Sequence, residues 1–260
     1  MPGGKVRSVE SQAATSGLEH KAASNSALTI AFQPIADLAD DSVFAYDAIV
    51  CGPRGETGTE IFEALKPEQR AMFDRRCAIG AIRWSMAAGL GNTTARLSLP
   101  FHAQAITNPT EHIEAILQTA KEAGLEPERL IFALHGYYKT GGTELADIVD
   151  VHRKAGALTA FVGVGQDNIG LGACGRYSPD LVTLEPELVS PIALSWYRRL
   201  VLEELTPKIR SLGVRIVGTG VDSEAVFQRL GGFGIYLAQG GYIAGPEVNA
   251  LPNPVLRSAA

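Results

Sequence analysis

The sequence predicts a single (β/α)8 barrel, and three observations predict it. Between Ala27 and Ala250, short apolar runs alternate with helical stretches, and eight of these runs read as strands, the number a closed parallel barrel needs. The last run, Ile235–Ala238, is followed by polar Gln239 and the pair Gly240-Gly241. A barrel presents a site side chain in this way, at a strand's C-terminal end before a sharp turn. The first run closes on Phe32-Gln33-Pro34-Ile35, and barrel closure would bring this second glutamine beside the first. An open doubly wound sheet is the alternative arrangement of the same elements.

The elements follow in order. Met1 to about Ser26 is polar and lacks a sustained period, so residues 1–26 read as a disordered leader or the end of a linker. The barrel is expected over 27–250 and a flexible tail over 251–260. Leu28–Pro34 and Val43–Val50 are strands joined by a turn at Asp40-Asp41-Ser42, which makes the first pair an antiparallel hairpin. Thr59–Leu90 carries apolar residues at helical spacing (Ile61 and Leu65, then Met72, Ile79, Ile82 and Met86) and splits into two helices near Pro67. Arg96–Phe101 is a strand, and Asn108-Pro109-Thr110-Glu111 starts a helix that runs to Gly124.

Leu130–Leu134, Leu158–Val162 and Leu181–Leu184 are further strands, with a helix over Thr143–Lys154. Ile169–Cys174 is too short and glycine-rich to read as a good helix. Pro191–Leu205 is helical and Pro207 is expected to begin a new turn. Val214–Val217 is a strand, and Ser223–Leu230 is a helix with Asp222 placed as its N-cap. Trp196-Tyr197-Arg198-Arg199 reads as a half-buried aromatic stripe with solvated arginines, or as a partner surface.

Composition narrows the function. A net charge of −5 disfavours a nucleic-acid partner. No apolar run of transmembrane length and no signal-peptide core occurs, so a cytoplasmic protein is expected. Cys51, Cys77 and Cys174 are an odd set without metal-type spacing and read as reduced thiols.

The strand ends carry Asp47, Ser98, His102, Ala133, His135, Ala160-Phe161, Thr183, Glu185, Thr219 and Gln239. Few of these are hard oxygen ligands of the kind a divalent metal needs. From about Leu28 to Pro246 the chain resembles an EAL domain, the phosphodiesterase module that hydrolyses cyclic di-GMP with divalent metals. The resemblance rests on Phe32-Gln33-Pro34-Ile35-Ala36-Asp37-Leu38 at one end and Gln239-Gly240-Gly241-Tyr242 with Gly245-Pro246 at the other.

The departures matter as much as the likeness. The family's Glu-Ala-Leu falls on Asp47-Ala48-Ile49, and the phosphate-holding arginine that follows it falls on Cys51. The third-strand asparagine falls on Ser98, the fourth-strand glutamate on Ala133 and the paired aspartates on Ala160-Phe161. The sixth-strand lysine falls on Thr183 and the seventh-strand glutamate on Thr219. Gln33 and Gln239 match, and Asp47 is a shortened carboxylate, so these three are the candidate ligand-binding residues; no catalytic or metal residue is assigned and no cofactor is expected, Mg²⁺ included.

Losing one preorganised group typically costs about 10² to 10³ in rate, and here nearly the whole set is replaced. The expectation is therefore a regulatory or protein-interaction module without hydrolase activity, its partner another protein. One alternative is a non-hydrolysing receptor for cyclic di-GMP. In it Gln33 and Gln239 touch the nucleotide, Arg54 stands in for the arginine, and Gly163-Val164-Gly165-Gln166-Asp167-Asn168 offers backbone N–H groups to a phosphate. Another is a different metal-dependent hydrolase built from His102, His135, Asp47 and Glu185. A homodimer is left open.

Overall fold

The computed structural model describes residues 28–165 and 168–254. Among these described residues nine strands form one sheet: β1 (Thr29–Asp37), β2 (Ser42–Cys51), β3 (Arg96–His102), β4 (Leu130–His135), β5 (Leu158–Val164), β6 (Leu181–Leu184), β7 (Arg215–Gly218), β8 (Leu237–Ala238) and β9 (Glu247–Val248). The order is β2-β3-β4-β5-β6-β7-β8-β1-β9, and an additional β1–β2 pairing closes the barrel. All neighbours from β2 to β8 run parallel, while β1 is antiparallel to both β2 and β8. The barrel and its antiparallel opening hairpin are as expected.

The ninth strand is not foreseen by the sequence reading. β9 has two residues and pairs antiparallel with Ala31 and Phe32 of β1. A two-residue strand has no detectable period; it exists because β8 ends early and leaves this stretch of β1 unpaired.

Helices cover the outside: α1 (Gly58–Ala64), α2 (Pro67–Ala87), α3 (Pro109–Glu122), α4 (Gly142–Lys154), α5 (Asn168–Tyr177), α6 (Pro186–Val189), α7 (Trp196–Ser211) and α8 (Glu224–Leu230). The larger core lies between barrel and helices, with Phe32, Phe101, Phe132 and Phe161 fully buried in it. A second core fills the barrel itself and includes Ile35, Ile131, Ala133, Ala160, Leu181 and Val217. The split follows from strand alternation: Phe132 faces out while Ile131 and Ala133 face in. No helix among the described residues is long and apolar enough to cross a membrane.

Four helical expectations are corrected. α5 is a helix despite three glycines, because Gly170 lets it close on the barrel: a Cβ there would lie 2.7 Å from Val164 Cγ1. α7 starts late, at Trp196, and runs straight through Pro207. Its buried residues Leu202, Leu205, Thr206 and Ile209 keep one face in register across the proline, while Pro207 and Glu203 are exposed, so the carbonyl that loses its N–H partner lies on the solvent side. Ser223, not Asp222, caps α8, its hydroxyl accepting from Val226 N at 3.4 Å. On α2, Met72 is exposed, whereas Ile82 is fully buried beside Cys77, Ala78, Ala81, Ser85 and Asp74, and Ile79 and Met86 pack partly buried on the core.

The aromatic stripe is inverted relative to expectation. Leu194 is 93% exposed and Trp196 69%, with Tyr197 and Leu200 also exposed, whereas Arg198 and Arg199 are half-buried. Arg199 donates to the carbonyl of Ile192 at 3.1 Å, which draws the cation inward and leaves the apolar side chains outside. At the end of the described chain, Leu251 packs on the outer core and Pro252 is buried.

Candidate functional site

Asp47 lines the barrel mouth. Inward alternation on β2 places Ala45 and Asp47 toward the barrel axis, and parallel register sets Asp47 beside Ser98 of β3. Ser98 Oγ donates to Asp47 Oδ1 at 2.7 Å, and Gln239 Nε2 donates to Oδ2 at 3.3 Å. Burial pushes the Asp47 carboxyl above its usual range, and these two hydrogen bonds offset only part of that shift.

Of the three candidate binding residues, the structure joins Asp47 and Gln239. Gln33 faces Asp47 in the β1–β2 register, but its amide donates to the carbonyl of Ala244 at 2.9 Å and lines neither cavity described below. It thus holds the loop after β8 against the first hairpin. Gly240 has an equally structural reason: a Cβ there would fall 2.3 Å from the backbone N and O of Val221, so the turn after Gln239 lies directly on the loop after β7.

Two adjoining cavities share Asp47 and His135. One, of about 240 Å³, sits over the barrel axis. Its walls include Ile131, Ala133, Ala160, Val162 and Val217, and its polar groups are Asp47, Ser98, His135, Thr183, Thr219 and Gln239. The hydroxyls of the two threonines are engaged with backbone, Thr183 accepting from Gly163 N and Thr219 donating to Leu184 O. Of the Ala160-Phe161 pair only Ala160 borders the cavity; Phe161 points to the helices and stacks on Tyr137 with centroids 4.5 Å apart.

The other cavity, about 160 Å³, lies between β2, β3 and the helices and is lined by Asp74, Cys77, Pro100 and His102 among others. There His102 pairs with Asp74: Asp74 Oδ1 lies 3.0 Å from Nδ1, and Oδ2 accepts the backbone N–H of His102 at 2.8 Å. Phe62 stacks on the His102 ring, with centroids 3.6 Å apart. Burial, with a smaller contribution from His102, lowers the His135 pKa to about 4, so this ring is neutral at pH 7.

Of the set His102, His135, Asp47 and Glu185, the first three line the smaller cavity, with the His102 and His135 ring centroids 5.5 Å apart, and Glu185 stands apart from them. His102 is taken by Asp74, and Glu185 borders neither cavity. The Asp74 partner escaped the sequence reading; its only signal was a carboxylate on the same helical face as Cys77 and Ala78. Arg54 does not stand in for a phosphate-binding arginine either, being exposed and paired with Glu56 at 2.6 Å. Among the described residues no lysine or arginine lines either cavity. Gln166 and Asp167 of the glycine loop lie outside the described residues. The side chains present do not fit the divalent metals that the resemblance implies: among the described residues no three His, Cys, Asp or Glu side chains converge as a metal site.

A closed barrel of this topology with its polar groups at the strand ends defines a class of (β/α)8 proteins. The family model for the EAL domain matches residues 19–246, and the chain belongs to that family. It is 22% identical over 224 residues to the blue light- and temperature-regulated antirepressor BluF of Escherichia coli (strain K12), a match covering 86% of this chain and 55% of that protein. The chain thus spans about half the length of this relative. A standalone versatile EAL protein from Vibrio cholerae O395, solved in its c-di-GMP-bound form, superposes with a TM-score of 0.78 at 24% identity, over 92% of this chain and all of the other. Klebsiella pneumoniae BlrP1 in a calcium and cyclic diGMP complex gives a TM-score of 0.77 at 23% identity, over 89% of this chain and 60% of that one. At these identities the likeness is one of fold.

Proposed function

We propose that this chain is a regulatory EAL domain of cyclic di-GMP-type signalling that acts by binding another protein and does not hydrolyse the dinucleotide. The observation that carries this reading is the make-up of the barrel mouth. Ser98, Ala133, Ala160, Thr183 and Thr219 line the cavity together with the Asp47 carboxylate, and among the described residues no lysine or arginine lines it. A cyclic dinucleotide brings two phosphate charges. One of them about 4 Å from an ionised Asp47 would cost about 4 kcal/mol at an effective dielectric near 20, with no metal or arginine to offset it. Support for a protein partner comes from the exposed cluster Leu194, Trp196, Tyr197 and Leu200, of the kind that marks interaction surfaces. The relative BluF is named an antirepressor, a term for action on a repressor.

The deciding experiment is an assay of cyclic di-GMP hydrolysis by the purified chain with Mg²⁺ and Mn²⁺. Turnover indistinguishable from buffer is expected, and a rate well above it would overturn the reading. A second reading, a receptor that binds cyclic di-GMP without turnover, is favoured by the c-di-GMP-bound structure of the Vibrio EAL protein. Calorimetric titration separates the two: no heat at high micromolar dinucleotide is expected here, and saturable binding without turnover would establish the receptor.

A further inference from the structure

We infer that the cavity over the barrel axis is a binding site for a small organic cation, an apolar body carrying a protonated amine that pairs with Asp47. The inference shares with the proposed function only the premise that no divalent metal occupies the mouth. Three features of the cavity carry it. Its walls are hydrocarbon, from Ile35, Ile131, Ala133, Ala160, Val162 and Leu181. At about 240 Å³ it exceeds the roughly 150 Å³ of an apolar cavity known to take up benzene, so a single ring with a short polar arm fits.

Among the described residues its acidic group is Asp47, whose two carboxylate oxygens each accept a hydrogen bond, from Ser98 and from Gln239. A carboxylate has about four acceptor positions, so two remain for a ligand. Among the described residues none of the lining side chains is a lysine or arginine, and His135 is held neutral by burial, so none of these residues gives Asp47 a cationic partner in the cavity. A partly buried carboxylate without a counter-charge favours a ligand that supplies one. An anion is disfavoured by the same group, and a neutral molecule gains the apolar contact without the ion pair.

The test uses the full chain with benzylamine and its uncharged analogue benzyl alcohol as probes, followed by calorimetry and melting temperature at pH 7.5. Benzylamine is expected to bind at least tenfold more tightly than benzyl alcohol. Asp47→Asn is expected to weaken benzylamine at least tenfold while leaving benzyl alcohol within about threefold. Ala160→Leu, which fills the cavity, is expected to remove both; should it fail to fold, the isosteric Asp47→Asn still decides. Equal affinity for the two probes, no binding of either, or benzylamine binding unchanged by Asp47→Asn would overturn the inference. Cyclic di-GMP turnover measured on the same preparation keeps the outcomes apart. Turnover counts against the proposed function, whereas absence of both turnover and amine binding counts against the cation site alone.

Discussion

Asp47 shows how one shortened side chain changes a site. Its carboxyl reaches Ser98 and Gln239 but is pushed up in pKa by burial. The folded chain therefore holds this proton more tightly than the unfolded chain does. The associated stability is present below the ordinary aspartate pKa and is lost as pH rises through the raised one. Asp47→Asn should accordingly raise the melting temperature at pH 7, by about 2 to 4 °C for each kcal/mol recovered, and change little below about pH 4; melts across pH check both ends. The buried histidines act in the opposite sense. Burial lowers His112 to about 4, with help from Arg75, and His152 to about 3, with help from His112. Both are neutral in the fold and take protons near pH 6.5 when unfolded. Stability present above that pH is lost as pH falls toward 4, each group contributing a slope of up to about 1.4 kcal/mol per unit. His112 lies edge-on to Phe101 and its Nε2 is buried without a partner, so His112→Phe should flatten this acid limb in denaturant titrations at pH 4 to 7.

Among the elements, the turn after β8 and the long helix α7 before β7 carry opposite lessons. The turn is specified by backbone contact. Gly240→Ala would drive a methyl into the Val221 backbone and should cost about 1–3 kcal/mol or more; it should also weaken the Gln239–Asp47 hydrogen bond, and a drop in the urea midpoint reads the loss. α7 is specified by its buried face, and its first turn is not part of that face. The triple substitution Trp196→Ser, Tyr197→Ser, Leu200→Ser should leave stability within about 0.5 kcal/mol per site while abolishing association with a protein partner or a second copy, followed by melting temperature and sedimentation. A large loss of stability would mean that these side chains support the fold and are not a surface for a partner. The glycine-rich α5 and the proline inside α7 were misread for one reason: propensity was weighed without the barrel wall against which both helices pack.

At the scale of the molecule, closure depends on β1. It pairs β2 along its length, takes β8 at its C-terminal end and β9 near its start. Ending the chain at Pro246 would remove Glu247–Val248 and the packed Leu251, exposing the backbone of Ala31 and Phe32 as a free edge. Such a truncation should lower the melting temperature and increase aggregation, read by light scattering during a melt; an unchanged melt would mean that β9 only rests on the barrel. The barrel mouth is likewise a property of the whole, since Asp47 of β2 meets Ser98 of β3 and Gln239 just after β8, 51 and 192 positions away.

Much of this architecture was legible in the sequence alone. The strand runs, the opening hairpin, the glycine turn after Gln239 and the residue types at the strand ends depend on near neighbours, and hydrophobic alternation records them directly. The absence of most hard-oxygen ligands from those ends could be read in the same way. Only the tertiary structure decided which polar groups meet. It turned Gln33 to Ala244, gave His102 to Asp74 of α2, left Arg54 on the surface with Glu56 and sent Phe161 outward to Tyr137. It also put Trp196 outside and Arg199 partly inside. Such pairings are set by which strands and helices lie side by side once the barrel closes, and no local period in the chain encodes them.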